Sequence, residues 1–477
     1  MGSIMSLSCS KSRMSSQDEG NASESRKRQK MSPEYEGDSS RLIPGLPDEL
    51  SMQILARLPR ICYFKARLVS GKWKSALLSS ELYSLRQELG KTEEWLYVLT
   101  KGQEDKLLWY ALDPVSMKWQ KLPPMPATVY EEEPRESFSS LWNMANPSVK
   151  VVEIVRNWFR RKDASEQMPF CGCSIGAVGG CLYVLGGFSR SWTMNSVWRF
   201  DPVFNKWSKA NSMLVNRAYS KTGILNNKLY VVGGVNNGRR GGLSPIQSAE
   251  VYDPSSDTWL EIPSMPFSKA EMLPNAFFTG FLKPIATGMT SYNGRLCVSQ
   301  SLYSWPIVVD VGGEIYDPET NSWVEMPAGM GEGWPARQAG TKLSVVVDGE
   351  LYAFDPSSSA ENGKIKVYDQ NEDAWKVVIG EVPVYDLTES ESPYLLAGLH
   401  GKLHFITRDR NRNITVLRAD VPDSSSSPSS SSSPVVGSCP FHGKADSVDT
   451  SDTVIWNVIA TKDLGAAELI SCQVIDL

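Results

Sequence analysis

What the 477-residue chain lacks narrows its function first. No run of about 18 apolar residues is present, so no transmembrane helix is expected. The N-terminus carries no apolar core of a secretory signal. There are three histidines, His400, His404 and His442, too few for a rich imidazole metal site. The eight cysteines (Cys9, Cys62, Cys171, Cys173, Cys181, Cys297, Cys439 and Cys472) are scattered, which suits reduced thiols better than a disulfide framework. "CGC" (Cys171, Cys173) and "CPFH" (Cys439, His442) lack the paired spacing of a zinc site. No glycine-rich phosphate loop follows a strand and opens a helix. A net charge of −5 supplies no global field that would draw nucleic acid. No cofactor, no metal and no nucleic-acid partner is therefore expected.

What is there falls into three parts. Residues 1–40 are rich in Ser, Lys, Arg and Glu and cannot offset their ordering entropy by burial, so they read as a disordered tail. Inside it, "MGSIMS" fits an N-myristoylation pattern with Gly2 as acceptor, and Cys9 is a candidate for a second acyl chain. "RKRQK" (26–30) is a basic cluster of the nuclear-import type. The expected compartments are cytoplasm and nucleus, with membrane association if Gly2 is acylated. Residues 41–90 read as a small helical module: Pro47 and Asp48 open a helix in which Leu50, Ile54, Leu55 and Leu58 recur at helical spacing, and Pro59 stops it. Fifty residues bury their apolar side chains poorly alone.

From residue 93 the pattern changes to short strands that repeat. An Asp followed six residues later by Trp recurs as "DPVSMKW", "DPVFNKW", "DPSSDTW", "DPETNSW" and "DQNEDAW", beginning at Asp113, Asp201, Asp253, Asp317 and Asp369. Before these corners stand two-residue turns, in "GGCLY", "NNKLY", "NGRLC", "DGELY" and "HGKLH", suited to tight hairpins. Each unit reads as strand a, hairpin, strand b, loop, strand c, corner, strand d, the pattern of a propeller blade. The first unit has no strand a, and the last leaves "ELISCQVIDL" spare. That strand, 468–477, is expected to complete blade one, giving six blades over 93–477 and removing the open edges. Two insertions interrupt the repeat. One, about 127–168, contains an amphipathic "VKVVEIVRNWFRRK"; the other, 423–452, is a Ser/Pro-rich loop between strands c and d of blade six.

These residues resemble two known modules. Leu46-Pro47-Asp48-Glu49-Leu50, Ile54, Leu58-Pro59, Val69-Ser70 and Trp73 look like an F-box, and the corners, with Gly186-Gly187 and Gly233-Gly234 ending strand b, look like kelch repeats. In blade four Ser299-Gln300 stands where the double glycine would be. The resemblance implies a mainly β protein, a six-bladed kelch-type propeller preceded by an all-α F-box module. It also implies a function: the non-catalytic substrate receptor of an SCF-type cullin–RING ubiquitin ligase. By carry-over, Pro47, Leu50, Ile54, Leu58, Pro59, Val69 and Trp73 form or present the surface for the small adaptor subunit, and through it cullin and RING protein. A protein target is then expected on the propeller.

Strand alternation assigns the target face independently of family. The a–b and c–d turns share one end of the propeller, and the longer, variable b–c and d–a loops share the other. Those loops supply Arg190, Trp192, Arg217, Arg239, Arg240, Trp305, Trp334 and Arg337, residue types that anchor interfaces. Two other readings compete: a kelch scaffold outside any ligase, and a propeller enzyme. The enzyme reading is poorly served, because His400 and His404 flank one hairpin and no nucleophile–base pair stands out.

Overall fold

The computed structural model describes residues 41–102, 107–113, 115–126, 172–189, 192–237, 243–266, 283–304, 307–332, 334, 344–355, 363–379, 382, 394–409, 411, 413–420, 455–465 and 467–477. The tail with Gly2 and Cys9, the 127–168 insertion and the 423–452 loop lie outside the described residues. Two compact units divide the chain, Met1–Ile54 and Leu55–Leu477. Helix α1 (Asp48–Ala56) runs through the division, and α2 (Arg60–Ala66), α3 (Gly71–Leu77) and α4 (Ser80–Glu88) follow. Pro59 occupies the position before α2 with φ −55°. The Ser70 and Ser79 hydroxyls accept the Trp73 and Leu82 N–H groups that open α3 and α4.

The corner sequence folds the same way in five blades. Its Asp accepts the N–H two residues on at 2.9 Å: Asp113 from Val115, Asp201 from Val203, Asp253 from Ser255, Asp317 from Glu319 and Asp369 from Asn371. The chain then turns left-handed at Met117, Asn205, Asp257, Asn321 and Asp373, with φ of 56°, 50°, 51°, 50° and 47°. Asn and Asp bear that conformation better than most residues. The corner delivers its Trp onto strand d, beside the aromatic that precedes the Asp. Phe200–Trp207, Tyr252–Trp259, Tyr316–Trp323 and Tyr368–Trp375 lie 5.1, 4.9, 5.2 and 5.5 Å apart.

Six four-stranded antiparallel sheets result. From strand a to strand d, blade two is Ser174–Val178, Cys181–Leu185, Val197–Asp201 and Lys206–Ala210, and blade three is Lys221–Leu225, Lys228–Val232, Ala249–Asp253 and Thr258–Ile262. Blade four is Lys283–Tyr292, Arg295–Ser304, Ile307–Asp317 and Ser322–Glu325, followed by the short helix α5 (Ala328–Glu332). Blade five is Ser344–Val347, Glu350–Asp355, Lys364–Asp369 and Ala374–Ile379; blade six is Leu395–Leu399, Lys402–Arg408, Ile414–Asp420 and Ile455–Lys462. Blade one takes the C-terminal Glu468–Asp476 as strand a beside Glu94–Lys101, Leu107–Asp113 and Lys118–Lys121, with Trp95 opposite Ile475. Each strand a adjoins that of the next blade, and blade six adjoins blade one, so the ring is closed.

The corner tryptophans also join blades. The Trp207 indole N–H donates to the Pro123 carbonyl of blade one at 2.9 Å, Trp259 to Asn211 of blade two at 2.9 Å, Trp323 to Pro263 of blade three at 2.7 Å, and Trp375 to Met330 after blade four at 2.9 Å. Trp119 of blade one packs against the core shared with blade six, but its indole nitrogen has no hydrogen-bond partner among the described residues. Blade six, interrupted between strands c and d, replaces the corner turn with side chains: Asp420 accepts from Arg418 at 2.8 Å, Lys402 at 3.0 Å and Asn457 at 2.6 Å. Those donors hold its carboxyl well below the usual range.

The staple predicts an asymmetry between seams. Trp259→Phe should destabilise the propeller by roughly 1 kcal/mol more than Trp119→Phe, because only the former breaks an indole hydrogen bond. Urea unfolding of both variants measures the difference, and equal losses would refute the assignment.

Candidate partner-binding surfaces

Two surfaces follow from the sequence expectations, one on the helices and one on the loop end of the propeller. In α1, Leu50 and Ile54 stand one turn apart and are both exposed, and Pro47 before it is exposed as well. In the second unit Leu55 and Ala56 are buried, Leu58 is half-buried and Pro59 exposed. Between α2 and α3, Leu68 is 84% and Val69 63% exposed, and Trp73 is half-buried. Leu68 was not among the residues expected from the sequence. Its periodicity matches a helix core position, and only the turn into α3 brings it out to solvent.

Helices α2–α4 sit on the turn end of the propeller. The Arg60 guanidinium donates to the Pro202 carbonyl at 2.5 Å and that of Arg67 to Val203 at 2.6 Å, two consecutive residues in the corner of blade two. Ile61 and Phe64 pack against a core that includes Trp95, Tyr97 and Phe200. The Tyr83 hydroxyl reaches the Asp476 carbonyl at 3.5 Å, next to the a–b turn at Gly180. Burial pushes the Tyr97 hydroxyl up to about 12 and lowers Arg60 from its ordinary value. With this end occupied in blades one and two, the b–c and d–a loops lie at the other end of every strand.

At that loop end, the stretch after Gly186-Gly187 forms a hairpin of Phe188–Ser189 and Trp192–Thr193, and the stretch after Gly233-Gly234 forms one of Val235–Asn237 and Leu243–Pro245. Asn237 joins the two, its side-chain oxygen accepting from the Thr193 N–H at 2.6 Å and hydroxyl at 2.8 Å. Trp192 is 55% exposed. The double glycines are required by crowding. A Cβ on Gly186 would lie 2.2 Å from the Arg217 carbonyl oxygen, and one on Gly234 2.5 Å from that of Ala218, and both have positive φ.

Two expected target anchors are corrected. Arg217 is 0% exposed. Its guanidinium donates to the Gly233 and Ser248 carbonyls at 3.0 and 2.9 Å and pairs with buried Glu250 at 2.5 Å, while the other Glu250 oxygen accepts the Leu214 N–H at 2.7 Å. The arginine builds the loop between blades two and three instead of reaching from it. Trp334 is buried with its ring edge-on to Trp375, 5.6 Å away. Arg190, Arg239, Arg240, Trp305 and Arg337 lie outside the described residues. Two stretches expected as loops are also ordered elements: "SLYSWPIVVD" continues strands b and c of blade four up to Ser304 and from Ile307, and "MGEGWPARQ" begins in α5. Without the double glycine, blade four keeps pairing past Ser299-Gln300 through a bulge.

His400 and His404 do not converge. His400 occupies the turn at φ 51° beside Glu94, whereas His404 is buried on strand b with Nδ1 3.0 Å from the Lys402 carbonyl. Among the described residues no cluster of His, Cys, Asp and Glu has the arrangement of a metal site. Among the described residues Cys62, Cys173, Cys181, Cys297 and Cys472 form no disulfide, and burial pushes Cys181 up to about 11. No helix among the described residues is long and apolar enough to cross a membrane.

A closed ring of kelch-type corners behind a short helical module defines an F-box protein with a kelch propeller. Comparison with known families agrees. The FKB95 Kelch-repeats domain matches residues 156–422 and the F-box domain matches residues 43–85. The chain is 74% identical over 481 residues to the F-box/kelch-repeat protein At1g22040 of Arabidopsis thaliana, with all of both chains covered. From the same plant, F-box/kelch-repeat protein At1g30090 is 27% identical over 329 residues, covering 68% of this chain and 67% of its own. The F-box protein AFR is 25% identical over 317 residues, covering 66% and 69%. The chain belongs to the F-box/kelch-repeat family.

Two outcomes test this site chemistry. Arg217→Met leaves the Glu250 carboxylate buried without its cation and should cost roughly 3–5 kcal/mol, most of it regained in the Arg217→Met, Glu250→Leu double variant. Urea titration of the cycle measures the coupling, and a double variant as unstable as the single would refute a buried ion pair. Burial with Arg418 opposite, and His400 nearby, holds the His404 imidazole down at about 4, so the folded state keeps it neutral. Below the ordinary imidazole range the unfolded chain takes up a proton that the folded chain refuses, so stability should fall as pH drops from about 6.5 toward 4. His404→Asn, whose amide can still donate to Lys402, should remove roughly 2 kcal/mol of that fall between pH 7 and 4.5; identical pH profiles of thermal unfolding would exclude His404 as its source.

Proposed function

We propose that the protein is the substrate-recognition subunit of an SCF-type ubiquitin ligase. The helical module, 41–90, docks the small adaptor subunit and through it cullin and RING protein, and the propeller, 93–477, holds a protein target. The observation that carries this reading is an F-box whose helices α2–α4 are fastened to the turn end of the propeller while Leu68 and Val69 stay exposed. Exposed Leu50, Ile54, Leu68 and Val69 supply the apolar contacts for the adaptor, with Pro47 and Pro59 shaping the turns and Leu58 and Trp73 supporting them from partly buried positions. The target sits across the loop end, where Trp192 is exposed on the paired hairpins of blades two and three, Arg190, Arg239 and Arg240 belong to those hairpins by sequence, and Trp305 and Arg337 belong to the connections within and after blade four. The receptor performs no chemistry itself; it raises the effective concentration of target lysines at the ubiquitin-loaded enzyme.

Recombinant adaptor binding tests the plug. The Leu50→Asp, Val69→Asp double variant should lose adaptor affinity at least about tenfold, since two exposed apolar anchors become charges, while its melting temperature stays near that of the wild type. Failure of the wild-type chain to bind adaptor at all would move the scaffold reading ahead.

A further inference from the structure

We propose that Arg60 is a positioning residue, which with Arg67, Arg86 and Glu93 fixes the angle between helices α2–α4 and the propeller, so that the orientation of the loop end toward the ligase is built into the receptor. The functional half of this inference rests on the ligase reading above; the joint itself does not.

The joint converges on one carboxylate. Oε1 of Glu93 accepts from the Arg60 backbone N–H at the start of α2 and from Arg86 of α4, each at 2.9 Å, and Oε2 accepts the Trp95 indole N–H at 3.3 Å. The Glu93 backbone meanwhile pairs with Leu477 in both directions, at 2.9 and 3.0 Å, beside the strand that closes the ring. Arg86 also donates to the Ala56 and Leu58 carbonyls at 3.0 and 2.8 Å and to the Tyr63 hydroxyl at 3.0 Å, and is buried. It thereby ties Ala56 and Leu58 to α2 and α4. From α2, the two guanidinium contacts to Pro202 and Val203 reach a corner that is itself rigid, held by the Asp201 turn. The Arg60 guanidinium lies over the Trp95 ring at 5.8 Å.

Direction is the reason to assign positioning to these groups. The apolar contact of Ile61 and Phe64 with the propeller core attracts without choosing a register, because hydrophobic burial is non-directional. Two planar donors on consecutive carbonyls, with a shared carboxylate on the far side, admit one orientation. Burying the Arg60 and Arg86 guanidiniums, with Glu93 paired directly to Arg86 alone, is costly for stability alone. None of these polar contacts reaches the loop end, and the one that touches an expected adaptor residue, Arg86 to Leu58, ends on a backbone carbonyl, so neither docking function accounts for them.

The test uses the full chain. Cys62, exposed on α2, and a cysteine placed at Val458, exposed on the outer strand of blade six, carry spin labels after Cys9, Cys171, Cys173 and Cys439 are replaced by Ser. Pulsed dipolar spectroscopy of the otherwise unaltered chain should give one narrow distance distribution. Arg60→Ala, Arg67→Ala should broaden it at least about twofold, and Arg60→Lys with Arg67 retained should restore part of the loss. A broad distribution without those substitutions, or an unchanged width in the double variant alongside a lowered melting temperature, overturns the proposal and leaves the arginines as stabilising groups only. In the reconstituted ligase, mass spectrometry of the receptor's own ubiquitinated lysines gives the functional arm. The wild type should concentrate ubiquitin on a few propeller lysines and the double variant should spread it at equal adaptor affinity; identical patterns overturn the positioning role. If the wild type binds no adaptor, the ligase reading fails while the distance measurement still decides the joint.

Discussion

Four successive seams of this ring, from blade one to blade five, are tied by an indole N–H reaching back to a carbonyl at the exit of the preceding blade, and the rest of the molecule depends on that bond being placed correctly. Apolar seams between blades could slide, since the faces of adjacent sheets carry similar Val, Leu and Tyr side chains. An indole has one donor, and the bond is made only when strand d begins at the right residue. The Asp turn and the left-handed residue after it set that start, so a seven-residue sequence determines both the local corner and the register between blades. The seam between blades six and one departs from this scheme. There a long insertion separates strands c and d, and closure relies on the C-terminal strand pairing along the whole of Glu94–Lys101.

A ring closed by its own terminus puts residues distant in sequence side by side, and the helical module uses that place. Glu93 lies between the last helix and the first strand, pairs its backbone with Leu477, and turns its carboxylate to α2 and α4. Ring closure and helix docking therefore share a residue. Removing residues 1–90 to isolate the propeller would uncover Trp95, Tyr97 and Phe200 and leave Glu93 without its arginines, so the propeller is better studied within the full chain.

Much of this was legible in the sequence because it is periodic. The Asp-to-Trp spacing, the two-residue turns and the missing first strand identify blades, their number and the circular arrangement, each by short-range chemistry. The side-chain roles at the loop end were less legible. Arg217 has the composition of an interface anchor, and only the fold shows that Gly233, Ser248 and Glu250, from 16 to 33 residues away, converge on it. Trp334 likewise reads as a rim residue until α5 folds it against Trp375. The joint was invisible for the same reason: Arg60, Arg67, Arg86 and Glu93 look like solvated charges on short helices, and their partners at Pro202, Val203 and Leu477 are backbone atoms, which leave no residue-type signature.

That asymmetry bears on which parts of an F-box/kelch-repeat protein are free to change. The corner motif constrains residues that make the ring, and the buried Arg217–Glu250 pair constrains one loop, but the hairpins beyond the double glycines bear few such obligations. Asn237 and Thr193 link two of them into a platform without fixing what their tips contain. A scaffold whose register is set by Asp, Trp and backbone carbonyls lets those tips change composition at little cost to the ring. Blade four shows the limit of that freedom. Once Ser299-Gln300 replaces the double glycine, the strands run on, a bulge absorbs the extra residue, and the loop is lost to the sheet.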